Sequence, residues 1–160
     1  MKRAISGLLA TFLLSSLNAV DLNIDELRAE CLGSNPVSCN ELGLLYAEGR
    51  GMEQNYTKAF ELFEIACKGK CAMGCGNLGI LYLNAWGVEQ DDKKASEYLL
   101  KACNGGDVVG CYHLGFLYKE GAGVEKDLNK SKKYFQKACN EGMNEACKQI
   151  GIERGCCGGM

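Results

Sequence analysis

Eight of the eleven cysteines in this chain recur at a fixed interval. They form four C-x7-C pairs, and each pair begins 36 residues after the previous one: Cys31/Cys39, Cys67/Cys75, Cys103/Cys111 and Cys139/Cys147. An internal period of about 20–50 residues is typical of repeat architectures, in which each unit buries its apolar face against its neighbours. The spacing therefore predicts a solenoid of stacked repeats.

The residues between the cysteines repeat as well. Three full units follow one another, 35–70, 71–106 and 107–142. Each has a first helical stretch (helix A) with Cys-x-x-Leu-Gly-x-Leu-Tyr, a glycine-bearing loop, and a second helical stretch (helix B) ending in Ala-Cys. The ends are capping half-units: 20–34 resembles the end of a helix B, and 143–160 resembles a helix A with a cysteine-rich tail. The sequence predicts an all-α fold, an α/α solenoid of eight helices without a strand.

Two recurring features predict how the helices begin and pack. Asn55, Asp91 and Asp127 precede the complete helix B segments, and these residue types cap helix N-termini by accepting hydrogen bonds from unpaired backbone N–H groups. A glycine also recurs inside helix A, although it costs about 1 kcal/mol relative to alanine there. The four glycines are Gly43, Gly79, Gly115 and Gly151. Their recurrence predicts a close helix–helix approach that a β-carbon would block.

Each of the four cysteine pairs is predicted to form a disulfide. A pair joins the last turn of a helix B to the first turn of the next helix A, and a short loop brings these turns within the Cα separation of about 4.4–6.8 Å that a disulfide requires. A bridge that closes so small a loop stabilises the fold by about 2.6 kcal/mol through the entropy of the unfolded chain. The alternative is that the thiols are small buried apolar groups.

Residues 1–19 have the features of a secretory signal peptide. Lys2 and Arg3 precede an apolar run over 4–17, and cleavage is predicted near Ala19. The run is shorter than the roughly 20 apolar residues of a membrane span, and the alternative is a buried N-terminal helix. Eleven cysteines agree with export to an oxidising compartment. We therefore expect a secreted or periplasmic protein without a membrane anchor.

Composition argues against several classes of function. Removing Lys2 and Arg3 takes the formal net charge from −2 to −4 and leaves no basic stripe, so we expect no nucleic-acid partner. His113 is the only histidine, and the cysteine pairs are spaced too widely for a typical zinc site, so we expect no metal and no other cofactor. S-x-x-K, S-D-N, K-T-G and H-E-x-x-H motifs are all absent, so the sequence identifies no catalytic residue.

The repeat resembles a known family. Its motifs A-C-x7-C-x-x-L-G-x-L-Y, G-x-G-V-x-x-D and K-A-x-x-Y-F-x-K-A-C resemble the Sel1-like repeats, a subgroup of the tetratricopeptide superfamily, over about residues 21–155. With a cysteine pair in every unit and a signal peptide, the chain resembles the Helicobacter cysteine-rich protein family. That resemblance implies an α/α solenoid, secretion, and an assignment to β-lactam binding or weak β-lactamase (hydrolase) activity. Other Sel1-like proteins are adaptors that organise protein complexes.

Tetratricopeptide-like solenoids turn helix A toward their concave side, and this implies where a ligand binds. On each helix A, residues that differ between repeats form a stripe at i, i+4, i+7 and i+11. The candidate groove residues at the centre of these stripes are Glu41, Leu44, Asn77, Ile80, His113 and Phe116. Mixed apolar and polar side chains suit a protein or peptide ligand. The family resemblance adds a β-lactam or a cell-wall fragment, and the remaining interpretation is a solvated face.

Three cysteines lie outside the four pairs. Cys71 is either a buried thiol or a competitor of Cys67 for Cys75. Cys156 and Cys157, in the C-terminal tail, are candidates for a bond to another chain.

The sequence allows two interpretations for each of three further residues. Trp86 lies in a loop where the other repeats have two glycines, and it is expected to be either an exposed contact residue or packed on the next loop. Asn55 and Asn129 begin N-x-S/T sequences, each with an acidic residue two places earlier, as in the acceptors of bacterial oligosaccharyltransferases. The alternative for both is an ordinary helix start.

Overall fold

The fold is an uninterrupted series of helices. It comes from a computed structural model that describes residues 24–152, and within this range eight helices follow one another without a strand. Helix α1 covers 24–32. The others are α2 (Pro36–Glu48), α3 (Tyr56–Lys68), α4 (Ala72–Asn84), α5 (Asp92–Asn104), α6 (Val108–Glu120), α7 (Leu128–Asn140) and α8 (Asn144–Gln149). The predicted solenoid is confirmed, while the predicted signal peptide, Cys156 and Cys157 lie outside the described residues.

The helices stack in two layers. Each helix from α2 onward packs on its neighbours in sequence, and the helix A segments α2, α4 and α6 also contact one another along the stack. The large side chains of the core come from both layers, with Leu78 and Leu114 from helix A and Phe63 and Leu99 from helix B. The apolar core is therefore thin and runs the length of the stack.

Asparagine and aspartate start the helix B segments as predicted. The side-chain oxygens of Asn55, Asp91 and Asp127 each accept a hydrogen bond from the backbone N–H three residues later, at 2.9 Å. Each side chain thus satisfies an N–H group that the helix leaves unpaired.

The recurring glycines admit large side chains of helix B. A β-carbon on Gly43 would lie 2.6 Å from the Phe63 ring, and one on Gly115 would lie 2.7 Å from the Phe135 ring. A β-carbon on Gly79 would come equally close to a side chain on the helix B of its own repeat. The prediction is wrong for Gly151, which follows the end of α8 with φ +75°. The described part of this half-unit has no helix B against which a longer helix A could pack.

Disulfides connect each repeat to the next. They join α1 to α2, α3 to α4, α5 to α6 and α7 to α8, with Cα–Cα distances of 4.5–4.7 Å. The four bridges are Cys31–Cys39, Cys67–Cys75, Cys103–Cys111 and Cys139–Cys147. Every junction from a helix B to the following helix A in the described range carries one bridge. The covalent links therefore lie between repeats, whereas the contacts at the glycines lie within them.

Most bridged cysteines are also part of the apolar core. Cys111 and Cys147, in the first turns of α6 and α8, are only 2% and 1% exposed, and both pack in one cluster with Leu114 and Phe135. The alternative of buried thiols without a bridge is wrong for Cys111 and Cys147, which are both bridged and buried. A cysteine side chain is small and apolar enough to be among the most buried in proteins, so a bridge fits in the core. These two residues therefore support the fold and line none of the cavities described below.

The loop from helix A to helix B packs back onto the preceding repeat. Gly87 has φ +68°, and a β-carbon there would lie 2.5 Å from the carbonyl carbon of Tyr56, at the start of α3. Gly123 approaches the backbone of Asp92 in the same way. Glycine is required at these positions by both the backbone conformation and the contact.

Alanine substitutions separate these two requirements. Gly106 also has a positive φ, +95°, but a β-carbon there would meet no atom within 4 Å. We expect Gly106→Ala to cost about 1 kcal/mol through backbone strain, and Gly87→Ala to cost about 2 kcal/mol more through overpacking. Urea unfolding followed by circular dichroism measures both. Equal losses would contradict the close packing of the loop.

Candidate ligand-binding site

The candidate groove residues lie along one side of the helix A layer. Leu44, Asn77, Ile80, His113 and Phe116 are half-buried, and Glu41 is exposed. One apolar side chain per repeat remains open to solvent at the first turn of helix A: Val37, Met73 and Val109 are 46%, 51% and 41% exposed. The stripes therefore form a continuous surface of mixed polarity.

Three of the six candidates meet in one cavity. Leu44, Asn77 and Ile80 line a cavity of about 410 Å³ between the first two repeats. Its floor includes Phe63 and Leu81, and Trp86 stands at its edge. We call this cavity the Trp86 pocket.

An aromatic pair forms one wall of the Trp86 pocket. The Trp86 ring stacks on Tyr56, with ring centroids 5.1 Å apart and an angle of 20° between the planes. Trp86 remains 42% exposed, as one of its two alternatives predicts, and its ring partner lies at the start of helix α3 in the preceding repeat, not in the next loop. Asp92 and Leu128 stand at the position of Tyr56 in the later repeats. The Tyr56–Trp86 pair therefore occurs once in the described repeats. Tyr56 was not among the residues predicted from the sequence, although its aromatic character at an otherwise variable position was a usable signal.

Two amide side chains are fixed at the rim of the pocket. The Nδ2 group of Asn77 donates to Oδ1 of the buried Asn40 at 2.8 Å. The Nε2 group of Gln54 donates to the Ala47 carbonyl oxygen at 2.7 Å and to the Tyr56 hydroxyl at 3.1 Å. Both amides are therefore held at the rim by hydrogen bonds that their nitrogen atoms donate.

Glu48 is the charged residue of the Trp86 pocket. Its Oε2 atom lies 2.7 Å from Nε of Arg50, and both side chains are at least half exposed. An exposed pair of this kind contributes at most about 1 kcal/mol, so Glu48 is free to exchange partners.

Glu41 lines a neighbouring cavity instead. That cavity, of about 290 Å³, lies between α1 and α2 and is also lined by Leu27, Leu45 and Arg50. Leu44 contributes to both cavities. The helix A surface of the first repeat is thus indented on both sides of Leu44.

Phe116 and His113 lie outside both cavities. Phe116 packs edge-on against Tyr112 and Phe135, with centroid distances of 5.0 and 4.9 Å. Burial lowers the pKa of His113, and the negative charge of Asp107 partly opposes this effect. Burial raises the pKa of Asp107, although its carboxylate caps α6 by accepting the N–H of Val109 at 3.1 Å. The third repeat has a smaller cavity at the equivalent place, of about 270 Å³ and lined by Leu128, Phe135 and Gln149, and neither Phe116 nor His113 lines it.

Cys71 is buried, as one of its two alternatives predicts. It is 8% exposed, has no disulfide partner among residues 24–152, and packs beside the Cys31–Cys39 bridge. It stands at the N-cap of α4 without making a side-chain cap hydrogen bond.

Asn55 and Asn129 occupy different surroundings. Asn55 is half-buried and caps α3 through its side-chain oxygen, whereas Asn129 is exposed in the first turn of α7. Glycosylation stays a prediction at both positions.

Neither a metal centre nor a membrane span is found in the described range. No three or more His, Cys, Asp and Glu side chains in residues 24–152 cluster in a way that suits a metal ion. None of the helices described there combines the length and the hydropathy needed to cross a bilayer.

The stacked helix pairs define an α/α repeat protein, and the repeats identify its family. The profile of the Sel1 repeat matches residues 36–71, 72–107 and 108–143, which together make up more than half of the chain. The chain belongs to the Sel1 repeat family. Proteins of this family are typically scaffolds for protein–protein interaction.

Solved structures of Sel1 repeat proteins are similar to this chain. Cysteine-rich protein B of Helicobacter pylori is 31% identical, with a TM-score of 0.66 over 83% of this chain and 96% of its own. A Sel1 repeat protein of Oxalobacter formigenes is 25% identical, with a TM-score of 0.75 over 80% of this chain and 52% of its own. The protective antigen c5321 of uropathogenic Escherichia coli is 28% identical, with a TM-score of 0.76 over 79% of this chain and 27% of its own.

These proteins differ in length. The chain spans about half of the Oxalobacter protein and about a quarter of c5321. No curated protein sequence is similar enough to be matched to it. The disulfide-rich fold and the similarity to the cysteine-rich Helicobacter protein indicate an extracytoplasmic protein.

The buried imidazole predicts how stability depends on pH. Because the pKa of His113 is lowered in the folded state, the unfolded chain takes up the proton first as pH falls through about 6.5, and the free energy of unfolding decreases. Gln149 stands at the equivalent position in the last repeat, so His113→Gln is a compatible change. We expect this variant to lose less stability than the wild type between about pH 7.5 and pH 5.5 in urea unfolding.

Asp107→Asn is the companion variant. It should lose more stability than the wild type over the same interval, because the carboxylate favours the protonated imidazole. Toward lower pH its own raised pKa acts in the same direction, since the folded state takes up a proton at Asp107 before the unfolded chain does and gains stability. Parallel pH curves for all three proteins would contradict this account.

Proposed function

We propose that this chain is an exported scaffold that binds a protein or peptide on a concave helix A face. The observation that carries the proposal is the Trp86 pocket, an open and largely apolar cavity on that face. Its volume of about 410 Å³ lies within the range of about 300–1,000 Å³ that ligand sites occupy. Export would follow from a signal peptide cleaved near Ala19, with a secreted or periplasmic destination.

The packing of the layers supports the concave assignment. Helices α2, α4 and α6 contact one another along the stack, and no comparable contacts join the successive helix B segments α3, α5 and α7. A stack whose helix A segments lie closer together bends toward that layer. The candidate groove residues then face the inside of the bend.

The composition of the face suits a macromolecular ligand. Exposed tryptophan is enriched at the positions that contribute most to protein interfaces, and Trp86 is the single tryptophan of the chain. The exposed side chains of Val37, Met73 and Val109 extend the apolar surface along the stack. A segment of a partner could therefore place one side chain in the pocket and contact successive repeats on either side.

Partner capture followed by substitution tests the proposal. Oxidised protein is used as bait for the exported proteome of the source organism under non-reducing conditions, and captured proteins are identified by mass spectrometry. We expect Ile80→Ala to weaken the interaction with the captured partner about 10-fold, as for a central interface residue. The control is Ile65→Ala, which removes an apolar side chain that is 48% exposed on helix α3. Equal effects of both substitutions, or none, would contradict a helix A interface.

The alternative function is binding or hydrolysis of a β-lactam or a cell-wall fragment. It rests on the resemblance to the cysteine-rich Helicobacter proteins, and no contact in the described residues favours it over a protein ligand. A chromogenic cephalosporin distinguishes the two: we expect no turnover by the oxidised protein. Turnover that disappears on substitution of Ile80 would favour the alternative.

A further inference from the structure

Amide and carboxylate oxygens of Asn77, Gln54 and Glu48 are available as acceptors at the Trp86 pocket. One N–H of Asn77 and both N–H groups of Gln54 donate to partners within the protein, and no described residue donates a hydrogen bond to either amide oxygen. A ligand group that reaches the rim without donating a hydrogen bond would strand these oxygens, at a cost of about 1–3 kcal/mol for each one buried. The rim therefore suits a ligand that donates several hydrogen bonds.

The charge of the pocket points in the same direction. Glu48 is the one negatively charged side chain among the residues that line the pocket. No lysine or arginine lines it. Arg50 contacts the Oε2 atom of Glu48 in an exposed ion pair that contributes at most about 1 kcal/mol, so Glu48 can exchange this partner for a cation of the ligand. The pocket is thus electrostatically complementary to a positive group.

The aromatic wall favours a flat cation. Tyr56 stacks on Trp86, and the indole ring keeps 42% of its surface open. Indole faces attract cations, with energies of about 0.5–2 kcal/mol. A guanidinium group is planar, carries five N–H donors and stacks on aromatic faces, whereas an ammonium group is a compact and strongly hydrated point charge.

The remaining walls accommodate an aliphatic stem. Leu44, Ile80 and Leu81 provide an apolar channel that leads to the polar rim. Arginine buries its methylene groups against such surfaces while its charged end reaches polar partners.

From this arrangement we infer that the Trp86 pocket binds an arginine side chain of the partner. The guanidinium stacks on Trp86 and donates to the oxygens of Glu48, Asn77 and Gln54, while the methylene groups lie between Leu44 and Ile80. This inference rests on the proposed function, because it names the side chain that the helix A face selects. Since the Tyr56–Trp86 pair occurs once in the described repeats, each molecule binds one such arginine.

Trp86 provides the measurement, because the chain has one tryptophan and its fluorescence reports on this site alone. The probe is the peptide acetyl-Leu-Arg-Leu-amide, compared with the same peptide carrying citrulline, a neutral group of nearly the same shape. We expect a saturable change in Trp86 emission with a Kd of about 1–5 mM for the arginine peptide. The citrulline peptide should bind about 10-fold more weakly.

A charge-removing substitution and a matched control locate the effect. Glu48→Gln should reduce the preference for arginine over citrulline about 5-fold, and added salt should reduce it in the wild type. Glu61→Gln removes the same charge from an exposed position on helix α3 and should leave the preference unchanged. Equal melting temperatures of the two variants confirm that both are folded.

Three results would overturn the inference. They are equal affinities for the arginine and citrulline peptides, tighter binding of acetyl-Leu-Glu-Leu-amide, and no saturable change with any peptide up to about 10 mM.

These results are separable from the test of the proposed function. If a captured partner still depends on Ile80 while the arginine preference is absent, the helix A face binds proteins and only the inference about arginine fails. If the captured partner is insensitive to Ile80→Ala, the proposed function fails irrespective of the peptide result.

Discussion

The structure depends on the covalent link between each helix B and the helix A that follows it. Within a repeat, helices pack closely because a glycine such as Gly43 or Gly115 admits a phenylalanine. Between repeats the contacts are fewer, and every described junction there carries a disulfide. Four bridges of this size stabilise the fold by about 10 kcal/mol if their effects add, which equals the whole stability of an ordinary domain, about 5–15 kcal/mol. A thin solenoid, in which each unit contacts only its neighbours, needs such a contribution.

The positions of the bridges also determine which positions can differ in residue type between repeats. They hold the first turns of the helix A segments, whereas the Trp86 pocket extends from the middle of α4 to the end of α2 and the loops to helix B. The loops need glycine at Gly87 and Gly123 to approach the preceding repeat, but the residue before each glycine differs between repeats. Trp86 occupies such a position. The bridged helices therefore carry a side chain whose identity the repeat pattern does not fix.

The periodic sequence predicted the periodic part of the structure. The interval between cysteines indicated the helices, their order and the bridges, and the asparagine and aspartate caps indicated the starts of helix B. Burial of bridged cysteines such as Cys111 and Cys147 was not predicted, because the spacing of a pair does not report how deeply its sulfur atoms lie. Gly151 was misassigned because the terminal half-unit, as far as it is described, lacks the partner helix on which the rule depends.

The pocket was predictable only in part. The helix A stripes predicted Leu44, Asn77 and Ile80, which contribute one side of it. The aromatic wall was not predictable from helix periodicity, because Tyr56 and Trp86 are 30 residues apart and meet only through the offset between successive repeats.

Reduction of the disulfides tests the central claim most directly. Far-ultraviolet circular dichroism compares the thermal unfolding of the oxidised protein with that of the protein after reduction and alkylation of its thiols. We expect the oxidised protein to unfold cooperatively, and the reduced protein to lose most of its helical signal at about 25 °C because the helix pairs are too thin to persist alone. Unchanged helicity and an unchanged melting temperature after complete reduction would contradict the account.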